Sequence, residues 1–463
     1  MKPSISIRKA VLDASLGASL FVVVSPACLA SGFQILEQST SRLGTAYAGT
    51  ASIADDATTV FFNPAGMARL EEREFAGAGY IVPIDSEFSD RDSRAAAGTP
   101  LARPLFGPSG TTDTPGLTGN LYFVQPLSDR WTFGFGVTMP FGLISEFDDD
   151  SRVRYHATDS ELTVINLNPT FAFEVTETLS LGFGVSYQHA DAKLENAVNS
   201  FAVCTSAGGS AAQCEARHAG PRSDGVANRE ADSQATIDVD DEAFVVDLSL
   251  HWQPTERTAV GLIWRQGADY DLSGDASFDV SDSCQADPLC SASLQLLQGP
   301  VRADAELPDT VTASVSQRVG ERWHVHGDVA WTEWSSLRRV GVVNRDNGAE
   351  VNALNLNYDD TFRVAGGASY AVSEYLTWRF GVAFDEAPQD DPESVTPRIP
   401  DEDRIWVSAG FNYRFTENAS MDVGFAHLFI DDTSIDSTEQ GVRLTGEFDN
   451  TVDILGLQFN WRY

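Results

Sequence analysis

Beyond residue 70, apolar and polar side chains alternate in one segment after another. Over 131–139 the odd positions hold Trp131, Phe133, Phe135, Val137 and Met139, and the even ones Thr132, Gly134, Gly136 and Thr138. Over 179–188, Leu179, Leu181, Phe183, Val185 and Tyr187 oppose Ser180, Gly182, Gly184, Ser186 and Gln188. Over 404–415, Ile405, Val407, Ala409, Phe411, Tyr413 and Phe415 oppose a face that carries Arg404, Ser408, Asn412 and Arg414. Successive side chains of a strand point to opposite faces, so each segment reads as a strand with one apolar face and one polar or small face.

The connectors between these strands are alternately short and long. Short ones fall near Ser128-Asp129, 176–178, 254–256, Gly320-Glu321, Ser373-Glu374 and Glu417-Asn418. Long ones fall near 85–116, 140–160, 196–234, 281–299, 340–357, 387–401 and 431–448. Six short and seven long connectors join fourteen strands, with both ends of the set on the short-turn side. A soluble sandwich shares the period of two. Strand lengths of about ten residues select a transmembrane barrel instead. So do the alternating connectors and the aromatic residues at segment ends, Trp264, Trp331, Trp334, Trp378 and Trp461. The expectation is an all-β, antiparallel barrel over 71–463 with tight periplasmic turns and long outer loops. Its last strand places Leu455, Leu457, Phe459, Trp461 and Tyr463 on one face. A terminal aromatic of this kind resembles the signal read by the outer-membrane assembly machinery, an expected partner.

The N-terminus fits export. Lys2, Arg8 and Lys9 precede an apolar run over 14–24, then Pro26 and the small-residue exit Cys28-Leu29-Ala30. This reads as a signal peptide over 1–30. No later run of 18 apolar residues offers a transmembrane helix. The chain carries 31 Lys+Arg against 67 Asp+Glu, a formal charge of −36, which argues against nucleic acid as a partner. The acids gather in connectors, as in Asp148-Asp149-Asp150 and Asp401-Glu402-Asp403, and read as solvated loops.

Four cysteines follow the leader: Cys204, Cys214, Cys284 and Cys290. An even number in an exported chain suggests disulfides, and local pairing is the simplest of three connectivities. Neither spacing matches a zinc site, so no metal is expected. The sequence has no Gly-x-Ser-x-Gly, His-Glu-x-x-His or phosphate loop. No enzymatic activity and no cofactor are expected.

Residues 31–70 break the rhythm. They are rich in Ala, Gly, Ser and Thr, with a helical tendency over 44–57, and too poor in large apolar residues to fold alone. They read as a periplasmic tail or as a plug in the lumen. Their string is specific: Gly32-Phe33-Gln34, Glu37-Gln38-Ser39, Ala46-Tyr47-Ala48-Gly49 and Ala54-Asp55-Asp56-Ala57 lead into Phe62-Asn63-Pro64-Ala65-Gly66-Met67. It closely resembles the N-terminal hatch of the FadL/TodX family of outer-membrane hydrophobic-compound transporters. Leu307-Pro308-Asp309 before the eighth strand, Trp331-Thr332-Glu333-Trp334-Ser335 in the ninth and Ile399-Pro400-Asp401-Glu402-Asp403-Arg404-Ile405-Trp406 opening the twelfth look similar as well.

The resemblance implies a monomeric fourteen-stranded barrel plugged by the hatch over 31–70, in contact with outer-membrane lipid and lipopolysaccharide. It implies passive uptake of a hydrophobic small molecule, long-chain fatty acids ahead of aromatic or aliphatic hydrocarbons. The ligand would be caught among outer loops and pass to a pocket in the barrel. A hatch movement would then release it sideways through the wall. Phe33, Asn63, Pro64 and Ala65 are the candidate gating residues. Pro64 locks φ, and the Asn63 side chain can bond local backbone. Apolar Phe201, Val203, Leu294 and Leu297 on outer loops are candidate capture residues, since such residues there need a ligand, each other or lipid as a partner. At the end of the fifth strand, where a base for a carboxylate is expected, stand Gln188, His189, Ala190 and Asp191, with Lys193 beyond. Arg338 and Arg339 are the candidate replacements.

Overall fold

The computed structural model describes residues 32–112, 114–219, 228–389 and 391–463, so the signal peptide expected over 1–30 lies outside them. Fourteen antiparallel strands form a closed barrel. Each pairs with its sequence neighbours, and the first closes on the fourteenth from Glu74↔Arg462 to Ile81↔Leu455. The short turns fall where the sequence places them, as at Thr255↔Thr258 and Thr176↔Leu179. Alternation sets the faces. Leu181, Phe183 and Val185 are exposed to the surroundings, whereas Ser180, Gly182, Gly184 and Ser186 face the interior.

Many strands are longer than the ten residues expected. Leu179–Val198, Ser233–Thr255 and Val442–Arg462 continue beyond the apolar belt. Two of the expected long loops, 340–357 and 431–448, are mostly hairpin: Arg339–Asn344 pairs with Glu350–Asn355, and Thr433–Glu439 with the start of the last strand. Backbone pairing does not stop where the bilayer does, so the ladder runs on into solvent.

Strands seven to ten are interrupted at one level, between Arg265 and Asp269, Glu306 and Thr310, Thr332 and Arg339, and Asn355 and Thr361. Leu307-Pro308-Asp309 therefore divides the eighth strand instead of preceding it. Trp334 corrects the girdle expectation. A short 3-10 turn, Trp334–Ser336, breaks the period of two and buries its ring completely inside.

Residues 32–70 occupy the interior. The helical pieces, Thr40–Leu43, Thr59–Phe62 and the 3-10 turn Pro64–Arg69, flank the span 44–57 instead of filling it. Nearly every residue of the segment is buried. Small residues on both sides make this possible. A Cβ at Gly261 would lie 1.7 Å from the Ala51 oxygen, and one at Gly381 2.0 Å from the Thr45 carbonyl carbon.

Candidate functional site

The interior divides into two levels. The lower one is the hatch, tied to the wall by hydrogen bonds around the ring. Thr50 N–H and Oγ1 donate to Asp328, and Ala51 N–H donates to Ser314. Ser249 receives the Ala65 N–H, and Ser180 donates to the Ala65 oxygen. Gln458 accepts from Thr40 N–H. Such an interlocked segment is held by many ties of ~1 kcal/mol each.

Asn63 and Ala65 sit at the centre of this anchorage. The Asn63 amide donates to the oxygens of Ala51 and Leu250, and its own oxygen accepts the Ala65 N–H. Pro64 opens the 3-10 turn, where a missing N–H costs nothing. Phe33 lies at the other end of the hatch, with its ring 5.1 Å from Trp334 and 6.0 Å from Phe141.

The upper level is apolar. Ile237, Val239 and Val245 of strand six (Ser233–Thr255), Tyr270 and Leu272 of the upper part of strand seven (Asp269–Asp279) and Val301 and Ala303 of the upper part of strand eight (Gly299–Glu306) form one buried cluster with Phe33, Phe141, Trp334 and Tyr358. A water-filled pore would carry polar side chains here.

The wall between strands two (Gly116–Pro126) and three (Trp131–Glu146) is incomplete. Their ladder runs only from Pro126↔Thr132 to Leu121↔Val137. Strand two continues on its other side to Gly116↔Val82. Above Val137 the third strand slips register at Thr138–Phe141, where Pro140 has no N–H to give. The hatch takes the vacated place: Ile35 N–H donates to the Pro140 oxygen, Gly142 N–H donates to the Phe33 oxygen, and Gln34 bridges to Phe141. Gln38 and Glu37 complete the seal, accepting from Tyr122 and Asn120 of strand two.

The outer loops carry helices. Cys204 and Cys214 are bonded, at 2.04 Å, and tie Ser200–Ser206 to Ala211–His218. Cys284 and Cys290, at 2.00 Å, tie Asp282–Gln285 to Pro288–Leu297. The four candidate capture residues divide between two clusters. Phe201 is buried against Ala96, Leu105 and Tyr155. Leu294 is buried with Val198 and both cysteines of the second bridge, and Val203 and Leu297 pack against it. Leu289 and Leu296 of the same helix are the exposed ones.

Arg338 and Arg339 lie on the exposed surface where the ninth strand resumes, and Arg339 is paired with Glu350 at 2.5 Å. Neither lines the interior. Lys193 is paired with Glu195 at 2.8 Å, and Gln188 accepts from the Tyr270 hydroxyl. The cations of the interior include Arg42, Arg265, Arg363, Arg379, Arg398 and Arg404 instead. Arg404 is fully buried between Asp401 and Asp385, and Asp401 also receives the Gly32 N–H at 2.7 Å, which pins the start of the hatch. For the arginines on strands the sequence signal is modest, an arginine in the polar half of an alternating strand; Arg398 lies in a turn of the loop before the twelfth strand.

One loop contact is tuned to pH. Asp232 faces Arg154 at 3.1 Å and accepts from the Tyr155 hydroxyl. Burial pushes its carboxyl up from 3.8 to about 6, against the pull of Arg154 and Tyr155. The docked loop therefore binds a proton more readily than the undocked one. Docking is favoured at low pH and weakens as the pH rises through 6. Hydrogen exchange, corrected for the intrinsic rate, should show protection of 228–232 rising roughly tenfold or more from pH 8 to pH 4; protection that is flat or falling would contradict this.

With this geometry in view, the comparisons are direct. Residues 21–463 match the family described as outer membrane protein transport protein (OMPP1/FadL/TodX). The chain is 32% identical to outer membrane protein P1 of Haemophilus influenzae, over 89% of each chain. It is 28% identical to the long-chain fatty acid transport protein of Escherichia coli O6:H1, over 98% of this chain and 100% of the relative. Its fold resembles that of a Pseudomonas aeruginosa FadL homologue (TM-score 0.81, 22% identity, 93% and 99% covered). It also resembles the Pseudomonas putida toluene transporter TodX (TM-score 0.65, 17% identity, 91% and 98% covered). A closed barrel of the Gram-negative outer membrane with a hatch in its lumen, this chain belongs to the OMPP1/FadL/TodX family of outer-membrane transport proteins.

Proposed function

We propose that the protein carries hydrophobic molecules, long-chain fatty acids foremost, passively across the outer membrane. The observation that carries this reading is the continuous buried apolar cluster above the hatch, which we read as the lining of a ligand chamber. A greasy solute crosses the polar lipopolysaccharide layer poorly. An apolar passage lowers that barrier, since each methylene removed from water is worth ~0.8 kcal/mol. The relative named as a long-chain fatty acid transport protein matches along its whole length, which favours that substrate.

The route begins at the outer loops, where Val203, Leu294 and Leu297 surround one apolar spot beside exposed Leu296. It continues into the chamber and ends at the gap between strands two and three, which residues 34–38 close. Withdrawal of this segment opens a side exit into the membrane. A straight exit would require the whole ring of hatch hydrogen bonds to break. The barrel acts as a monomer, in contact with lipid and lipopolysaccharide and inserted by the assembly machinery. A second reading, uptake of aromatic hydrocarbons, is favoured by the four rings of Phe33, Phe141, Trp334 and Tyr358.

Uptake of labelled oleate and labelled toluene by a transport-deficient Gram-negative host separates these readings. Oleate uptake that is altered by deletion of 32–45 is the expected result. Toluene uptake alone moves the protein to the hydrocarbon reading. Uptake of neither by an inserted barrel overturns both and leaves a structural or adhesive barrel.

A further inference from the structure

We infer that the barrel has a second side opening, between strands eight and nine at the outer edge of the bilayer, where a hydrocarbon chain dissolved in the outer leaflet enters by displacing the Trp334 indole. The inference rests on the uptake reading above and adds an entrance to it.

Strand eight consists of Gly299–Glu306 and Thr310–Val319, and strand nine of Trp323–Thr332 and Arg339–Asn344. Their lower parts pair without a break from Val319↔Trp323 to Thr310↔Thr332. These ten rows match the ~9–11 residues with which a tilted strand crosses a bilayer. Trp323 and Trp331 share the outer face with exposed Val325 and Val329 and stand at the two ends of the ladder, as interfacial aromatics do. Above Trp331 the pairing fails. Among the described residues, 303–309 and 333–342 share no ladder pair, and pairing resumes only at Arg302↔Val343 and Val301↔Asn344. Pro308 contributes to the break, because it has no N–H to give and its φ is locked. The opening between strands two and three starts lower, after six rows. The two openings therefore differ in height: one lies within the apolar belt, the other at its outer rim.

A 3-10 turn, Trp334–Ser336, fills the upper gap. Two hydrogen bonds tie it to strand eight: Glu333 N–H donates to the Asp309 oxygen, and Ser336 Oγ donates to the Glu306 oxygen, each at 3.0 Å. Leu307 and Leu337 are buried beside it in the apolar cluster. The indole closes the gap from inside, with its ring 5.1 Å from Phe33 and 5.7 Å from Tyr358. Its Nε1 is buried and has no acceptor.

An indole N–H buried without an acceptor is a standing cost of this inward seat. Outside, at the level just above Trp331, the same N–H meets water or lipid head groups while the ring rests on acyl chains. That boundary is where tryptophan is favoured in membrane proteins. Trp334 therefore has two seats. The inward one gains ring packing, and the outward one gains the hydrogen bond. A hydrocarbon chain that arrives from the leaflet replaces the lost ring packing and tips the balance outward. The space left is that of an indole, which is wider than an alkyl chain. Leu307, Leu337 and Tyr358 lie behind it and continue the apolar lining. A polar solute gives no such replacement, since its own groups would lose water against these side chains.

The test uses hexadecane that carries a diazirine, dissolved in the lipid of vesicles that hold the full-length barrel. Adducts formed on illumination are mapped by mass spectrometry. Glu306→Cys/Ser336→Cys, joined by a short bismaleimide, locks the gap, and the same variant left unjoined is its control. Both positions are open to the reagent, and the four loop cysteines are already bonded. Gel mobility before and after heating verifies each barrel. The expected result is labelling of Leu307 and Leu337 in the unjoined barrel and at least fivefold less after joining. Trp334→Ala should raise it at least threefold, and the joining test stands without that variant. Labelling unchanged by joining would place entry elsewhere and overturn the inference, while the uptake reading stands. Labelling confined to outward residues such as Val325 and Val329 would leave the turn a structural patch and overturn it too. A barrel that takes up neither this probe nor oleate offered in water overturns both.

Discussion

Gly261→Val should turn a closed barrel into a conducting one. Any side chain at 261 places its Cβ 1.7 Å from the Ala51 oxygen and 2.2 Å from its carbonyl carbon. The obstacle is backbone, so no rotamer change relieves it. The strand itself tolerates valine well, and its ladders to strands six and eight are intact around this position. The hatch must therefore yield. Ala51 is held on both sides: its N–H goes to Ser314, its oxygen receives Asn63, and Asn63 in turn caps the Pro64 turn. In planar bilayers the wild-type protein should be nearly silent and Gly261→Val should show steady ion conductance. Gly79→Val is the matched control, because a Cβ there meets nothing within 4 Å. A folded Gly261→Val barrel as silent as the control would show that the hatch absorbs the clash and would refute this account of its seating.

Val239→Glu is expected to abolish oleate uptake with the barrel in place. Val239 belongs to the buried apolar cluster of the proposed chamber, with Ile237, Tyr270, Leu272 and Val301. A carboxylate there either draws water into the chamber or is held neutral, and in both cases an alkyl chain loses part of its apolar lining. At ~0.8 kcal/mol per methylene, re-exposure of two or three methylenes lowers occupancy more than tenfold. Val239→Leu preserves the lining and should preserve uptake. Labelled oleate entry per inserted barrel is the measurement, and retention of uptake in Val239→Glu would remove the chamber from the route. The two substitutions are complementary: the first opens the plug without touching the lining, and the second spoils the lining without touching the plug.

Some of this was written in local pattern. Leu181, Phe183 and Val185 against Ser180, Gly182 and Gly184 declare an outer and an inner face. The turn at Thr176–Thr178 and its counterparts declare which connectors are tight. The glycines were visible as a small face, yet their purpose was not, because the partner that comes within 2 Å of a Cβ at Gly261 is 210 residues away in sequence. Trp334 read as a girdle residue because alternation was assumed to continue through it; a 3-10 turn, favoured by burial against Phe33 and Tyr358, reversed its direction. Arg338 and Arg339 drew attention as adjacent charges. Arg265 and Arg363 count among the interior cations because of what surrounds them, and surroundings are not a property of a pair of letters.

The sequence by itself determined the class, the count and order of strands and the membership of the hatch string, since each depends on local periodicity or on contiguous residues. The tertiary structure alone decided where the wall parts between strands two and three and which groups hold the interior arginines. It also decided where the upper lumen turns apolar. Each of those depends on side chains that meet across the barrel, and barrel closure sets such meetings through shear and strand register, which no single segment contains.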